Sequence, residues 1–394
     1  MTIKVPGFRF AGVACGIKKS KKKDLALIFS DLPATAAALF TTSEIKAPPV
    51  LVGMRQIRRG KVQAIVINSG NANACTGTRG VRDAETICRQ VASRLGVEPK
   101  LVIPSSTGLI GMPLPMNKVR GGIVKASASL SPHSFSRAAE AILTTDSFTK
   151  ISVARCSLGG RKVVVAGMAK GAGMIAPNMA TMLAYILTDA AVQSRCLQRL
   201  LSRAANETFN CITVDGDSST NDTVLFLANG VAGNRAVALG SKEEQVLFKV
   251  AKKVMKDLAL KLVKDGEGAT KLVEIRVEGS RSVAEAKKIA YAVANSQLVK
   301  TAFFGEDPNV GRIMAAIGYA GVRVEPGEIG VSYDRVPVVR HGIVLNPNER
   351  EASRVMRRPS FKVSINLGQG KQSASVWTSD LSHKYVRINS AYRT

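Results

Sequence analysis

Histidine is scarce in this 394-residue chain: His133, His341 and His383 are the only three, widely separated and with no HExxH spacing. Their scarcity argues against a zinc enzyme built on paired imidazoles. The six cysteines, at positions 15, 75, 88, 156, 196 and 211, contain no CxxC pair. Neither a thiolate metal site nor a redox dithiol is indicated, and the cysteines read as reduced, mostly buried thiols. The expectation is no metal and no cofactor. Aromatic residues make up 5% of the chain, too few for a platform on which many bases stack. Acidic side chains are also short: 29 Asp and Glu stand against 56 Lys and Arg, a formal net charge of +27. The basic residues are nevertheless dispersed, the densest run being Lys18-Lys19-Ser20-Lys21-Lys22-Lys23, with a lesser one from Arg55 to Lys61. The charge reads as solvated surface that steers acidic small molecules, not as a nucleic-acid interface. No apolar run approaches the roughly 18 residues of a membrane helix. Met1-Thr2-Ile3-Lys4-Val5-Pro6-Gly7 lacks the layout of a secretory signal. No membrane partner is expected, and a cytoplasmic location is.

Hydrophobic residues supply 45% of the chain, enough for a large core. The pattern is α/β. Lys61 to Ile67 is a β-branched run ending in an Asn-Ser-Gly-Asn loop, Lys100 to Ile103 runs into Pro104-Ser105-Ser106-Thr107-Gly108, and Arg161 to Val165 is a third strand. Val192, Cys196, Leu197, Leu200, Leu201 and Ala204 share a helical face. Ser241 with Glu244 is a capping box before a helix that should stop at Asp265-Gly266, and Ser282 with Glu285 opens another to about Asn295. Beyond Gly321 the spacing predicts short strands over Ile329 to Tyr333, Val336 to Leu345, Phe361 to Leu367 and Ser373 to Thr378. No linker marks a lobe boundary.

Among chemical candidates, Thr181 lies in the run from Lys170 to Leu183. Its hydroxyl would be a weak nucleophile unless a base stood beside it. A cut between Ala180 and Thr181 would make the threonine's own α-amine that base. A free α-amine has a pKa of roughly 7.7–8.0, so it is partly neutral in the cell. On composition alone, a threonine among apolar residues is an ordinary strand residue. Gly171 and Gly173 form a lone GxG with no following helix pattern, which is a weak nucleotide signal. They read as glycines that let the backbone pass close to the nucleophile. Asp215, Asp217 and Ser219 open like a calcium loop, but Thr220 and Phe226 replace its required glycine and glutamate, so a hydrogen-bonded turn is the better account.

Several ordered stretches carry a resemblance. They are Asn68 to Gly77, Ser106-Thr107-Gly108-Leu109-Ile110-Gly111, Thr144-Thr145-Asp146, Lys170 to Leu183, Gly216 to Thr223, Leu298 to Gly305 with Asp307-Pro308-Asn309, and Ile388 to Thr394. Together they resemble the ornithine acetyltransferase family, also called glutamate N-acetyltransferase, over nearly the whole chain. The resemblance implies an α/β sandwich of sheet and helix layers that processes itself and uses an N-terminal threonine nucleophile. It implies autocleavage at Ala180-Thr181 into fragments 1–180 and 181–394, and two copies of each fragment in the assembled enzyme. The Thr107 hydroxyl and the Gly108 N–H would form the oxyanion hole. Lys170, Glu267, Asn389, Thr394 and either Thr144 or Thr145 would bind substrate with Thr181. Acetyl would pass from N-acetylornithine to glutamate, and acetyl-CoA as a further donor is left open. The alternative is an amidohydrolase or aminopeptidase with the same nucleophile and water as acceptor. The chain departs from the family pattern at Thr149, Gln297, Val310 and His383-Lys384, the last close to Asn389.

Overall fold

The computed structural model describes residues 3–176 and 182–391. Two sheets organise them. The larger has eight strands: β1 (Phe8–Val13), β2 (Leu25–Phe40), β3 (Lys61–Asn71), β4 (Val102–Leu109), β5 (Lys150–Leu158), β6 (Arg161–Lys170), β7 (Leu183–Thr188) and β8 (Thr223–Ala228). Their order is β4-β3-β2-β8-β7-β6-β5, with β1 also paired to β2. β3 and β4 run parallel, as do β7 and β8. The central strands β7 and β8 are buried at every position, as expected where both faces of a sheet are covered. On one face, Ile186 and Phe226 meet Leu197, Leu200 and Leu201 of the helix Ser194–Asn206 and Leu247, Val254 and Leu258 of the helix Lys242–Lys264. On the other, the alternating residues Tyr185, Leu187, Leu225 and Leu227 pack with Phe8, Phe10 and Phe135.

The smaller sheet takes its six strands from the last third of the chain: β9 (Leu272–Ser280), β10 (Gly330–Tyr333), β11 (Val336–Arg340), β12 (Ile343–Val344), β13 (Ser360–Asn366) and β14 (Gln372–Ser379), in the order β12-β11-β10-β13-β9-β14. The helix Val283–Asn295 packs Ile289 and Val293 into its core with Ile275, Val363 and Val376. The lobes meet where the Thr213 N–H donates to the Trp377 carbonyl at 2.9 Å.

The layered α/β architecture is the expected one. Both serine N-caps are present: Ser241 accepts from the Glu244 N–H, and Ser282 from that of Glu285, each at 3.1 Å, while the Glu244 carboxylate takes the Gly240 N–H and that of Glu285 takes Arg281 in place of the reciprocal bonds of a capping box. Two expectations need correcting. Asn68 to Asn71 is not a loop but the end of β3, paired with Ser106 to Leu109 of β4. Val336 to Leu345 is not a single strand but a hairpin of β11 and β12, turned at His341 and Gly342, both in the left-handed region with φ of 51° and 73°. The Ala180–Thr181 bond lies between β6 and β7, which are antiparallel neighbours in the larger sheet. Among the described residues, no helix is long and apolar enough to cross a membrane.

Candidate active site

Segments at one end of the larger sheet converge on a small cavity of about 180 Å³ that opens to solvent. Its walls include Thr107, Gly108, Thr144, Thr145, Lys170, Glu267 and Asn389. The structure therefore brings together every site residue expected from sequence that lies within the described residues. Ala180, Thr181 and Thr394 lie outside them. The three histidines are absent from the walls; His383 instead packs edge-on against Phe304.

Thr107 and Gly108 end β4 where its ladder with β3 slips at Gly70 and Asn71. Gly108 has a φ of 131°, and a Cβ on it would stand 2.4 Å from the Gly70 carbonyl carbon, so only glycine fits. Lys170, at the end of β6, is buried, and its Nζ donates to Thr107 Oγ1 at 3.3 Å. Accepting that bond engages a lone pair of the Thr107 oxygen and leaves its O–H free to donate elsewhere. Burial lowers the Lys170 pKa, while Asp146, Glu267 and Asp222 favour its charged form.

A residue not singled out in the sequence holds this arrangement. Lys150, fully buried, donates to Asp146 Oδ1 at 2.6 Å and also pairs with Asp265 Oδ2. Asp146 further accepts the Gly171 N–H at 2.7 Å and the Thr144 N–H at 2.9 Å. Burial opposes its charge, but Lys170, Lys150 and the Thr144 amide keep its carboxyl well below the usual carboxylate range. Asp265 in turn accepts from both the backbone and the hydroxyl of Ser147. The network ties the Thr144-Thr145 loop, the end of β6 and the C-terminus of the helix Lys242–Lys264 together. Thr144 and Thr145 both face the cavity. The Thr145 side chain makes no hydrogen bond among the described residues.

Across the cavity, Glu267 Oε2 accepts from Asn389 Nδ2 at 2.8 Å. A Cβ on Gly173 would lie 2.6 Å from that carboxylate, so the second glycine of the GxG leaves room for Glu267. Met174 takes the left-handed conformation, φ 56°, with its N–H given to Asp215 at 2.6 Å. Asp215 also accepts the Ile175 N–H at 2.8 Å and the Tyr385 hydroxyl at 3.3 Å. The expected hydrogen-bonded turn is present, and its aspartate holds the loop beyond β6. Asn221 Nδ2 bridges the Ala72 and Ser106 carbonyls at 2.7 and 2.8 Å, joining three of the motif segments.

A deep polar pocket at strand ends, with a lysine-backed threonine hydroxyl and an acidic residue opposite, defines an enzyme with a small-molecule site. The sequence model of the ArgJ family matches residues 9–394. The chain is 50% identical to the arginine biosynthesis bifunctional protein ArgJ of Geobacter sulfurreducens over 391 residues, 99% of this chain and 100% of that protein. It is 46% identical to the ArgJ of Symbiobacterium thermophilum, across 98% of this chain and 97% of that one. A crystal structure of the Bacillus halodurans ArgJ protein is similar at 39% identity and a TM-score of 0.51, covering 53% of this chain and 98% of the solved one. The chain belongs to the ArgJ family, and it is an acetyltransferase of arginine biosynthesis.

Proposed function

We propose that the chain cuts itself at Ala180-Thr181 and then carries acetyl from N2-acetylornithine to glutamate on the Thr181 hydroxyl. The Thr181 Oγ proton passes to the threonine's own α-amine as the oxygen attacks the acetyl carbonyl. The oxyanion is held by the Thr107 hydroxyl and the Gly108 N–H, each such donor typically contributing about 2.7–4 kcal/mol in the transition state. The carbon–nitrogen bond breaks, the proton goes to the departing amine, and ornithine leaves. The amine of glutamate then attacks the acetyl ester, its proton returns through the α-amine, and N-acetylglutamate is released. Glu267 and Asn389 bind the amino-acid end of the substrate opposite the hole. Thr145, with its hydroxyl unengaged, is the better of the two threonines to contact it, and Thr394 completes the pocket.

The observation that carries this reading is the Lys170–Thr107 hydrogen bond, with the Glu267–Asn389 pair in the same cavity. It gives one wall that can stabilise an oxyanion and another that can hold an amine. Processing is supported by the Bacillus halodurans chain, of which 98% lies against only 53% of this one, as a half-length fragment would. Fragments 1–180 and 181–394 would stay together, because β7 and β8 sit between β2 and β6 of the same sheet. The assembly is proposed as two copies of each fragment, working in the cytoplasm.

A substrate panel tests the reading. N-acetylornithine with glutamate should yield ornithine and N-acetylglutamate, and acetyl-CoA in place of N-acetylornithine scores the second donor. Release of free acetate at the same rate with and without glutamate would instead establish a hydrolase.

A further inference from the structure

Donor and acceptor share an amino-acid head and differ at the side chain. N-acetylornithine and glutamate place a charged atom the same number of bonds from Cα, an ammonium in one and a carboxylate in the other. One cavity has to admit both in turn. Among the described residues of its wall, three carboxylates, those of Asp215, Asp217 and Glu267, face one cation, Lys170. Asp215 is engaged: Oδ1 takes the Ile175 N–H, and Oδ2 takes the Met174 N–H and the Tyr385 hydroxyl. Glu267 receives Asn389. The Asp217 carboxylate makes no hydrogen bond or ion pair among the described residues, and the residue is exposed where the cavity meets solvent. Its place is nonetheless set. The Asp217 N–H donates to Asp215 Oδ1 at 3.3 Å, closing a side-chain turn around Gly216, whose φ of 80° favours glycine. Beyond that turn the Ser219 carbonyl accepts the Thr41 hydroxyl at 2.6 Å, and the Thr220 carbonyl the Ala47 N–H at 2.9 Å.

We propose that Asp217 is a specificity-determining residue: its carboxylate receives the side-chain ammonium of the acetyl donor and disfavours the side-chain carboxylate of the acceptor. The inference rests on the reading that N-acetylornithine and glutamate use this cavity in turn. Asp217 has the acceptor sites an ammonium needs and no protein donor to compete for them. Exposure keeps the attraction modest, so ornithine can leave once its acetyl group is transferred. The same exposure lets water screen the repulsion when glutamate enters. Specificity is a difference of affinities, and one charge here moves the two substrates in opposite directions.

Substitution at Asp217 tests this, because in a double-displacement reaction each substrate's kcat/KM reports its own half-reaction. The wild type is scored first with N-acetylornithine and glutamate; no turnover would fail the donor assignment itself, and the inference with it. With turnover present, Asp217→Asn should lower kcat/KM for N-acetylornithine by roughly 3–5-fold, the size of an exposed ion pair, and raise that for glutamate. Asp217→Lys should carry both changes further. N-acetylnorvaline, which has the same carbon chain without the amine, isolates the ammonium. The wild-type preference for N-acetylornithine over it should shrink in Asp217→Asn, return in Asp217→Glu, and weaken as salt is raised. A preference that Asp217→Asn and Asp217→Lys leave at its wild-type value overturns the inference. So does a fall in kcat/KM for donor and acceptor alike, which would mark a displaced loop in place of a lost charge.

Discussion

The two sheets bury their interiors in different ways. The core of the smaller sheet is mostly apolar, built from residues such as Ile275, Ile289, Val363 and Ile365, with Lys300 and Thr378 the buried polar pair at its seam. The larger sheet is equally apolar between its layers, but at the ends of its strands it buries Lys150, Lys170, Asp146 and Asp222. Buried charges are costly unless paired, and replacing a buried ion pair by well-packed apolar groups often costs nothing. A fold that keeps them at one end is using them for position or chemistry. The smaller lobe contributes by gripping. Asp380 accepts the Thr270 and Lys271 N–H groups at 2.8 and 2.9 Å, and the Ser382 hydroxyl donates to the Gly268 carbonyl at 2.6 Å. The loop carrying Glu267 is thereby fixed against the segment that delivers Tyr385 and Asn389.

Removing charge from the first region and apolar volume from the second should therefore have opposite signatures. Lys150→Met leaves Asp146 and Asp265 unpaired in the interior and should cost about 3–5 kcal/mol of stability, with activity lost beyond what unfolding explains. In the smaller sheet, Ile365→Val should cost only about 0.5–1.5 kcal/mol and leave kcat unchanged. Denaturant titration and steady-state rates measure both, and equal effects on kcat would erase the distinction.

Thr107→Ala probes the catalytic wall itself. It removes one oxyanion donor and should lower kcat by roughly 10²–10³-fold in processed protein. Near-normal kcat would remove Thr107 from the hole.

A pH-dependent effect lies at the seam between the lobes. Lys300 is buried and donates to the Thr378 hydroxyl at 3.0 Å, and burial lowers its pKa to about 7, partly offset by Asp380 and Asp215. The unfolded chain then binds more protons than the folded one from about pH 7 up to the ordinary lysine pKa. This group's contribution to stability should accordingly rise with pH through that window. Lys300→Met should flatten the slope in melts at pH 7, 8 and 9; an identical slope in both proteins would show that Lys300 keeps its proton.

Sequence made the local features legible. Ser241 and Ser282 cap the helices their spacing announced, and the motif segments carrying Thr107, Lys170 and Glu267 do share one cavity. What escaped was long-range pairing. Lys150 follows Asp146 by four residues and reads as a surface lysine, because its second partner, Asp265, is 115 residues away. Asp222 lies within the Gly216 to Thr223 stretch, yet nothing in the residues says that one of its oxygens is buried without a hydrogen-bond partner among the described residues. The hairpin at His341-Gly342 was hidden within an apolar run that either one strand or two could fill.

Intact mass of the 181–394 fragment tests the central claim most directly. Incubated with N-acetylornithine and no acceptor, it should gain one acetyl group, roughly 42 Da, as covalent catalysis requires. Glutamate should then discharge it to N-acetylglutamate. A fully active protein that runs as one uncut 394-residue chain, or a fragment whose mass never changes during turnover, would contradict the account.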